Sequence, residues 1–389
     1  MAGLFAGIGG IELGLDRAGH RTELLCEAWE PAARVLAERF PGVPVHPDVR
    51  TLRSLPNSVD LLTAGFPCQD LSQAGMGAGI MGNQSGLVGH VFRLIRRRHP
   101  TWLLLENVQF MLQLDRGRAM SFLVDELTAL RYRWAYRIVD SRFTGVPQRR
   151  RRVILLASRT EDPRPVLFAD DAGERPDSDY RDDAFGFYWT EGLKGLGWAR
   201  DAVPTLKGGS TVGIPSSPGI WLPAAAPGRK LVMPSIEDTE DLQGFPRGWT
   251  ERADEGRRNG PRWKLTGNAV TVGVAQWLGE RLAASGQPRS EYFPHQIGSP
   301  WPNAAWGDRN GVFGVAVSEY PRHEPYRHLR DVIDEETARP ITNRGARGFH
   351  SRTLAAKLRF DPDFISDVVE HIEVTDPAPS VPAGAGMAS

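Results

Sequence analysis

Leu4-Phe5-Ala6-Gly7-Ile8-Gly9-Gly10 is the stretch of sequence that decides the fold. It joins a predicted strand, Gly3 to Ala6, to a predicted helix, Ile11 to Ala18. Glycines let a ligand approach the backbone closely, and the first turn of a helix presents unpaired N–H groups. The spacing differs from the full dinucleotide fingerprint, so the loop alone leaves the ligand open.

The first 160 residues repeat this alternation of short apolar runs and helical patterns. The alternation predicts an α/β fold with a mostly parallel sheet flanked by helices. The further predicted strands are Glu23 to Cys26, Asp60 to Ala64, Trp102 to Leu105 and Arg152 to Ala157. The further predicted helices are Pro31 to Phe40, Leu87 to Arg97 and Arg118 to Leu130.

Two acidic residues stand where a nucleoside would need them. Glu27 ends the second predicted strand, and Asp48 follows the short run Val43 to His46. An acid at the end of the second strand can accept both hydroxyls of a ribose. The glycine loop and the two acids come without the basic residues that phosphates require, which favours an adenosyl ligand such as S-adenosylmethionine over NAD. A solvated surface turn is the alternative for each acid taken singly.

The pentapeptide Gly65-Phe66-Pro67-Cys68-Gln69 places a cysteine just past the predicted strand Asp60 to Ala64. Open α/β sheets bind their ligands at the carboxyl ends of their strands. Cys68 is therefore a candidate nucleophile, because a thiolate in such a place is reactive. The competing interpretation is a half-buried structural cysteine, which we assign to Cys26.

Glu106-Asn107-Val108 follows the apolar run Trp102 to Leu105 in the same way, so it should converge with Cys68 on one crevice. Burial raises the pKa of a carboxyl group, and Glu106 could then protonate or hydrogen-bond a ring nitrogen. Asn107 could orient the neighbouring backbone. The alternative role for Glu106 is the capping of a helix.

Five polar residues, Gln148 to Arg152, precede the apolar run Val153 to Ala157. If a strand begins within the arginines, Arg150 and Arg152 share one of its faces. One of them could pair with Glu106 while bonding a base carbonyl oxygen, and the other arginines could meet DNA phosphates. A solvated face is the alternative for Arg149 and Arg151.

The composition of the chain limits its surroundings. The 47 basic and 47 acidic residues cancel, so no global positive field indicates a nucleic-acid partner, and local clusters must do so. Two cysteines suit a reducing cytoplasm. No apolar run approaches the ~18 residues of a membrane helix, and the N-terminus has no basic signal region. We expect a soluble cytoplasmic protein without a metal site.

The sequence changes character after Thr160, where Pro, Gly and Asp become frequent and aromatic residues lose any period. This predicts a loop-rich module of short strands. A helical pattern returns at Ala269 to Ala284. We predict a catalytic and cofactor-binding domain at 1–160 plus 262–285, a second domain at 161–261, a C-terminal extension at 286–375 and a disordered tail at 376–389.

Six motifs together resemble the DNA (cytosine-5) methyltransferase family of bacterial or phage type. Their order and spacing agree with the family from Gly3 to Ala284. In chain order they are Phe5-Ala6-Gly7-Ile8-Gly9-Gly10, Gly65-Phe66-Pro67-Cys68-Gln69, Glu106-Asn107-Val108, Gln148-Arg149-Arg150-Arg151-Arg152, Leu242-Gln243-Gly244-Phe245-Pro246 and Thr266-Gly267-Asn268-Ala269-Val270.

The resemblance implies a Rossmann-like S-adenosylmethionine-dependent methyltransferase sheet, with 161–261 as the target-recognition domain. It implies that a cytosine flipped out of double-stranded DNA is attacked at carbon 6 by Cys68. Glu106 would meet the ring nitrogen and Arg152 the carbonyl oxygen, with Arg150 also catalytic. The implied cofactor-binding residues are Phe5, Gly7, Gly9, Glu27, Asp48, Leu87 and Asn268.

The resemblance also bears on partners. It implies a bacterial or phage-infected host cell, and a cognate restriction endonuclease that acts separately is one possible partner. The alternatives are an RNA (tRNA) cytosine-5 methyltransferase of the same family and a non-catalytic DNA-binding paralogue. The sequence leaves open the target site, the oligomeric state and a start upstream of Met1.

Three departures from the family pattern qualify the resemblance. Gly3 stands where the family usually has Asp, and the region between Ala157 and Leu242 is short for target recognition. The segment after Gly286 has no counterpart in the pattern. It could extend DNA recognition through four basic residues or merely stabilise the fold. These residues are Arg344, Arg347, His350 and Arg352.

Overall fold

The structure is a computed structural model that describes residues 1–66, 86–208, 217–254, 260–288, 291–296 and 298–376. The segment from Pro67 to Ser85, which contains Cys68, and most of the predicted tail lie outside the described residues. No helix among the described residues is long and apolar enough to cross a membrane.

Helices and strands alternate through the first part of the chain. The helices are α1 (Gly10–Arg17), α2 (Glu30–Arg39), α3 (Leu87–Arg97), α4 (Arg118–Ala129), α5 (Arg164–Leu167), α6 (Ile236–Leu242), α7 (Arg262–Asn268), α8 (Val272–Ala283), α9 (Leu329–Val332), α10 (Asn343–Ala355) and α11 (Pro362–Val374). The strands are β1 (Ala2–Leu4), β2 (Leu24–Cys26), β3 (Val45–His46), β4 (Leu61–Gly65), β5 (Trp102–Val108), β6 (Arg133–Asp140), β7 (Gln148–Arg149), β8 (Arg151–Ser158), β9 (Phe185–Phe187), β10 (Ala199–Arg200), β11 (Val203–Pro204), β12 (Gly219–Trp221), β13 (Leu231–Met233), β14 (Tyr292–Pro294), β15 (Ala304–Asp308), β16 (Gly311–Val315) and β17 (Arg339–Pro340).

The large sheet has ten strands in the order β14-β16-β15-β6-β8-β5-β4-β1-β2-β3. Strands β1 to β5 are parallel, as expected, but β8, β6, β15, β16 and β14 each run antiparallel to their neighbours. The expectation of a mostly parallel sheet therefore holds for half of it. The connection between β6 and β8 has no crossover helix, so β8 must return antiparallel, between β5 and β6.

The core lies on both faces of this sheet. Along β5, Leu103 and Leu105 join the cluster that contains α3 and α4, whereas Leu104 joins the cluster on the opposite face. That opposite face carries α1 and α8, so we call it the α1/α8 face. Since α8 is formed by Val272–Ala283, the chain returns to the large sheet after the segment that forms the small one. Gly14 permits this packing, because a Cβ there would overlap the Val272 carbonyl of the segment opposite.

A second sheet, with the order β10-β9-β12-β13-β17, forms the core of the loop-rich module. Helices α10 and α11 pack on it, where Phe349 and Phe364 join Phe187 and Trp221 in one cluster. The segment expected as a C-terminal extension thus contributes to both sheets. It adds β14, β15 and β16 to the edge of the large sheet, and β17 pairs with β13 of the small one.

The second sheet with the helices α10 and α11 on it is called the small domain below. Truncation of Phe364 tests whether α11 stabilises this domain. The ring of Phe364 lies with its centroid 5.0 Å from the rings of Phe187 and Trp198. We expect Phe364→Ala to lower the free energy of unfolding by about 3–5 kcal/mol, as for other buried phenylalanines. Val369→Ala, on the same helix but 36% exposed, should change it little. Equal urea midpoints for the two variants would contradict the expectation.

Candidate functional site

The glycine loop leaves β1 in a left-handed backbone. Phe5 has φ 54°, Gly7 has φ 57° and Gly9, which precedes α1, has φ 82°. Such angles are costly for residues with a Cβ, which explains the glycines. A Cβ at Gly7 would meet no atom within 4 Å, so the loop turns this backbone toward open space. The loop can therefore admit a ligand against its main chain.

Glu27 is held beside this loop by backbone hydrogen bonds. The Gly7 N–H donates to Oε2 and the Trp29 N–H donates to Oε1, each at 2.8 Å. Each carboxylate oxygen keeps a further lone pair that can accept a hydroxyl. Burial raises the pKa of Glu27, and the bonds from Trp29 and Gly7 oppose that rise. The carboxylate is thus oriented before any ligand binds.

The other predicted cofactor residues lie in three further segments. Asp48 follows β3, and its carboxylate accepts from the Arg50 guanidinium at 2.8 Å, which lowers the pKa of Asp48. Leu87 begins α3 and packs, with Phe5, against the α3/α4 core. Asn268 ends α7 and is exposed, close to the backbone of Gly208. Parallel topology brings the ends of β1, β2 and β3 and the start of α3 to one edge of the sheet.

Asn107 holds the backbone of the segment that leads to the predicted nucleophile. Its Nδ2 donates to the Phe66 carbonyl at 2.9 Å, and its Oδ1 accepts from the Val108 N–H at 2.9 Å. Phe66 is the last described residue before the segment with Cys68. The expected role of Asn107, orienting neighbouring backbone, is therefore what these two bonds perform.

Glu106 and Arg152 form an ion pair at the same edge of the sheet. The Arg152 Nε lies 3.0 Å from Glu106 Oε1. Val108 pairs with Arg152 and Glu106 with Ile154 in the β5–β8 ladder, so the two side chains are diagonal neighbours on one face. The helix that follows β5 has Val108 as its N-cap, and Glu106 makes no cap bond to it. The capping alternative for Glu106 is thereby removed.

The surroundings of Glu106 favour its protonated form. The residue is 8% exposed, and Oε2 would touch a Cβ placed on Gly65, the last residue of β4. Burial raises the pKa of Glu106, while the charges of Arg152 and Arg150 oppose the rise. A carboxyl group of this kind can hold a proton nearer to neutral pH than a free glutamate does.

Arg150 lies between β7 and β8, two residues before Arg152. Its guanidinium donates to the carbonyl oxygens of Leu206 (3.0 Å), Gly267 (3.1 Å) and Ala269 (2.6 Å). The residue is 2% exposed, and burial lowers its pKa. The structure thus directs Arg150 to backbone carbonyls and brings Arg152, not Arg150, into contact with Glu106.

The outer arginines of the run have partners of their own. Arg149 donates to the Gly197 carbonyl at 3.0 Å, and Arg151 pairs with Glu319 at 2.6 Å. Both partners belong to segments beyond the first domain. These arginines therefore bind the strand junction to the rest of the chain.

Two buried glutamines connect three of the motifs by hydrogen bonds. The sequence analysis did not predict a role for either of them. Gln148 Nε2 donates to Gln243 Oε1 at 3.0 Å and to the Leu242 carbonyl at 2.9 Å. Gln243 in turn donates to the Thr266 carbonyl and accepts from the Thr271 hydroxyl, each at 2.8 Å. Three of the six motifs thus meet in one hydrogen-bond network. The only sequence signal was that both glutamines lie inside motifs.

Glu12 is a second residue that the sequence did not identify. It projects from α1 onto the α1/α8 face, where a Cβ on Gly3 would overlap its Oε1 and where the Thr63 hydroxyl donates to it at 3.2 Å. Burial raises the pKa of Glu12 to about 7, and its Oε2 has no hydrogen-bond partner among the described residues. A carboxyl group from α1 therefore fills the space left by the glycine at position 3.

Cys26 behaves as a structural cysteine. It ends β2 within the core, and burial together with Glu27 and Asp48 raises the pKa of its thiol to about 12. The thiolate is therefore scarce at neutral pH, which makes Cys26 a poor nucleophile.

The chain is similar to known proteins over most of its length. A family model described as C-5 cytosine-specific DNA methylase matches residues 1–181. The chain is 44% identical over 379 residues to the Type II methyltransferase M2.BsuMI of Bacillus subtilis strain 168, which covers 94% of this chain and 96% of that protein. It is 36% identical over 170 residues to the Type II methyltransferase M.BanI of Aneurinibacillus aneurinilyticus, which covers 42% and 39% of the two chains.

Among solved structures, the Dnmt2 methyltransferase of S. pombe matches with a TM-score of 0.52 over 72% of this chain and 97% of that one. The sequence identity is 16%, so this likeness shows the shared fold alone.

Glu12 should make the stability of the protein depend on pH. Its pKa of about 7 in the folded chain lies above the ordinary 4.5, so the folded state favours the protonated form. Stability from this group is complete at low pH and is lost between pH 4.5 and 7, by about 3 kcal/mol in total. We expect Glu12→Gln to remove this part of the pH dependence in urea unfolding.

The matched control for Glu12 is Glu30→Gln, because the Glu30 side chain is exposed. This variant should keep the pH dependence of the wild type. A Glu12→Gln curve parallel to that of the wild type from pH 5 to 8 would show that Glu12 is already ionised in the folded protein.

Proposed function

Since this chain belongs to the C-5 cytosine-specific DNA methylase family, we propose that it transfers a methyl group from S-adenosylmethionine to carbon 5 of cytosine in duplex DNA. The observation that carries the proposal is the Glu106–Arg152 pair. It lies beside Gly65, three residues before Cys68, at the sheet edge that also bears the glycine loop. A nucleophile, an acid and a cofactor loop would thus share one edge.

The residues at the loop fit the adenosyl cofactor. The open space at Gly7 and the preoriented carboxylate of Glu27 suit a ligand with a ribose. Phe5, Gly9, Leu87 and Asn268 would complete the site. Asp48 is engaged by Arg50, so it would accept from the ligand with its remaining lone pairs. The bound cofactor supplies an electrophilic methyl group on a positively charged sulfur.

Cys68 is the proposed nucleophile. Its thiolate adds to carbon 6 of the cytosine ring, and the electron pair of the 5,6 double bond moves to carbon 5, which becomes nucleophilic. Carbon 5 would then take the methyl group, while the methyl–sulfur bond breaks and its electron pair stays on the sulfur. Loss of the carbon 5 proton to a base re-forms the 5,6 double bond, and the bond between Cys68 and carbon 6 breaks. The enzyme then regains its thiolate.

Glu106 would assist this addition through its proton. Because burial raises its pKa, the carboxyl can donate to the ring nitrogen at position 3 and withdraw electrons from carbon 6. Arg152 keeps the carboxyl in place and can also donate to the carbonyl oxygen of the base. Arg150 would act on the reaction indirectly, by holding the backbone around the site through its three carbonyl bonds.

The depth of Glu106 supports base flipping. A carboxyl group that is 8% exposed, at the end of a buried strand, is out of reach of a base stacked within a duplex. The target cytosine would therefore leave the stack to meet it. The small sheet and the helices on it form a separate layer of the molecule, which we propose as the target-recognition domain.

The names of the relatives suggest the biological setting. Both relatives described above carry the name Type II methyltransferase, and we propose that this chain likewise modifies the site that a separate restriction endonuclease would cut. Mapping of methylcytosine at base resolution, after expression in a methylation-free host, would test this and read out the target sequence.

Removal of the nucleophile is the direct test of the mechanism. We expect Cys68→Ala to lower the rate of methyl transfer to duplex DNA by a factor on the order of 10⁴ or more, with cofactor binding retained. Cys26→Ala, which removes the buried thiol, should leave the rate nearly unchanged. The measurement is incorporation of labelled methyl groups into duplex DNA and, in parallel, into tRNA. Full activity of Cys68→Ala, or transfer to tRNA alone, would refute the proposal.

Glu27 tests the cofactor site independently of catalysis. Loss of its carboxylate should remove an acceptor worth about 1.5–3 kcal/mol, hence about 10- to 100-fold in affinity for S-adenosylmethionine. The comparison is Glu27→Ala against Glu30→Ala, three residues away and exposed, by titration calorimetry. Equal affinities for the two variants would place the ribose elsewhere.

A further inference from the structure

Helix α10 and the residues after it concentrate positive charge on a chain whose net charge is zero. Residues 343–359 contain four arginines, one lysine and one histidine, and no acidic residue. The neighbouring helix α11 has the opposite character, with Asp363, Asp367, Glu370 and Glu373 in thirteen residues. Such segregation of charge on two packed helices creates a local field that the net charge conceals.

The structure exposes part of this charge. Ala346, Phe349 and Thr353 are buried on the small sheet side of α10, so Arg344 and Arg347 lie on the outer side and are exposed. Arg344 makes no ion pair within the described part of the chain. Arg347 pairs with Asp376 at 3.1 Å, but both side chains are about half exposed, and such pairs are weak and exchangeable.

Two of the four acids of α11 have partners outside α10. Asp367 and Glu370 both pair with Lys230, and Asp367 also accepts from Trp221 Nε1. These two acids of α11 are therefore engaged by Lys230 and Trp221 rather than by Arg344 or Arg347.

The position of α10 connects it to the site through one loop. Arg352 donates to the carbonyl oxygens of Glu191 (2.9 Å) and Trp189 (2.8 Å). The same loop reaches the site at its other end, where Gly197 accepts from Arg149. Lys207 pairs with Glu191. The next residue, Gly208, has its backbone against the side chain of Asn268. The helix is thus braced against the loop that borders the catalytic edge.

We infer that the outer side of α10, through Arg344 and Arg347, binds the phosphate backbone of duplex DNA flanking the target base. The inference rests on the proposed function and extends it to a segment outside the family motifs. Arginine donates in a fixed fork that matches phosphate oxygens. Contacts of this kind position the duplex without reading its sequence, so they should act equally on every DNA sequence.

The test is the salt dependence of binding. Each lost phosphate contact lowers the slope of log affinity against log salt by about 0.9, so the double variant Arg344→Ala/Arg347→Ala should lower it by about 2. Between 50 and 200 mM salt, the affinity of this variant for a short duplex should therefore fall about tenfold less than that of the wild type. Fluorescence anisotropy measures this, and an unchanged melting temperature confirms that the fold is intact.

The matched control is Arg309→Ala. Arg309 is exposed in the turn between β15 and β16. Its neighbour Gly307 pairs with Trp134 near the start of β6, and this end of the sheet also holds Trp102 at the start of β5. Arg309 therefore lies at the opposite end of the sheet from Glu106, and its variant should keep the wild-type slope.

The outcomes separate the inference from the proposed function. A wild type that binds and methylates DNA, with a double variant of equal slope, overturns the inference and leaves the function standing. A double variant with lower affinity but an unchanged slope overturns it as well, since phosphate contacts must alter the slope. A wild type without methyl transfer to DNA overturns the proposed function, and the inference with it.

Discussion

The buried guanidinium of Arg150 is the interaction on which the site depends. A charge held at 2% exposure is tolerated only where acceptors surround it. Here the acceptors are three main-chain carbonyls, one from Leu206 beside the small sheet and two from Gly267 and Ala269, which lead into α8. Displacing either segment would leave the charge unsatisfied, so the guanidinium holds both against the start of β8. Arg152, two residues further, is thereby placed beside Glu106. The amides of Gln148 and Gln243 reinforce this junction with uncharged bonds.

Two buried glutamates lie on the same face of the sheet, and their environments give them different tasks. Glu12 sits over Gly3 and Thr63, and Glu106 lies one row further along, beside Gly65. Burial raises the pKa of both carboxyls. Glu106 has a guanidinium partner and lies level with Gly65, the last residue of β4. Glu12 accepts from the Thr63 hydroxyl and fills the space that a side chain at position 3 would need. It is a packing group whose protonation the fold favours.

Much of the first domain was predictable because its signals are local. The helix predicted at Leu87 to Arg97 is α3 with the same bounds, and the predicted strand ends place Glu27 and Glu106 correctly at one edge. The antiparallel half of the sheet was not predictable, because strand direction depends on how β6 connects to β8 and not on apolar patterning. The contribution of the C-terminal segment to both sheets was not predictable for a similar reason. Strands as short as Arg339–Pro340 carry no periodic signal.

The sequence by itself determined which chemical groups the protein has and their order along the chain: the glycine loop, Glu27, Cys68, Glu106 and the arginines. Motifs of this kind are short and contiguous, so they can be read without knowing the fold. Only the tertiary structure decided which arginine meets Glu106, because Arg150 and Arg152 are chemically identical and differ only in the atoms around them. It also decided that Glu12 occupies the place beside Gly3 and that α10 lies against the loop containing Trp189 and Glu191. Contacts between residues far apart in the chain depend on packing, which no local pattern records.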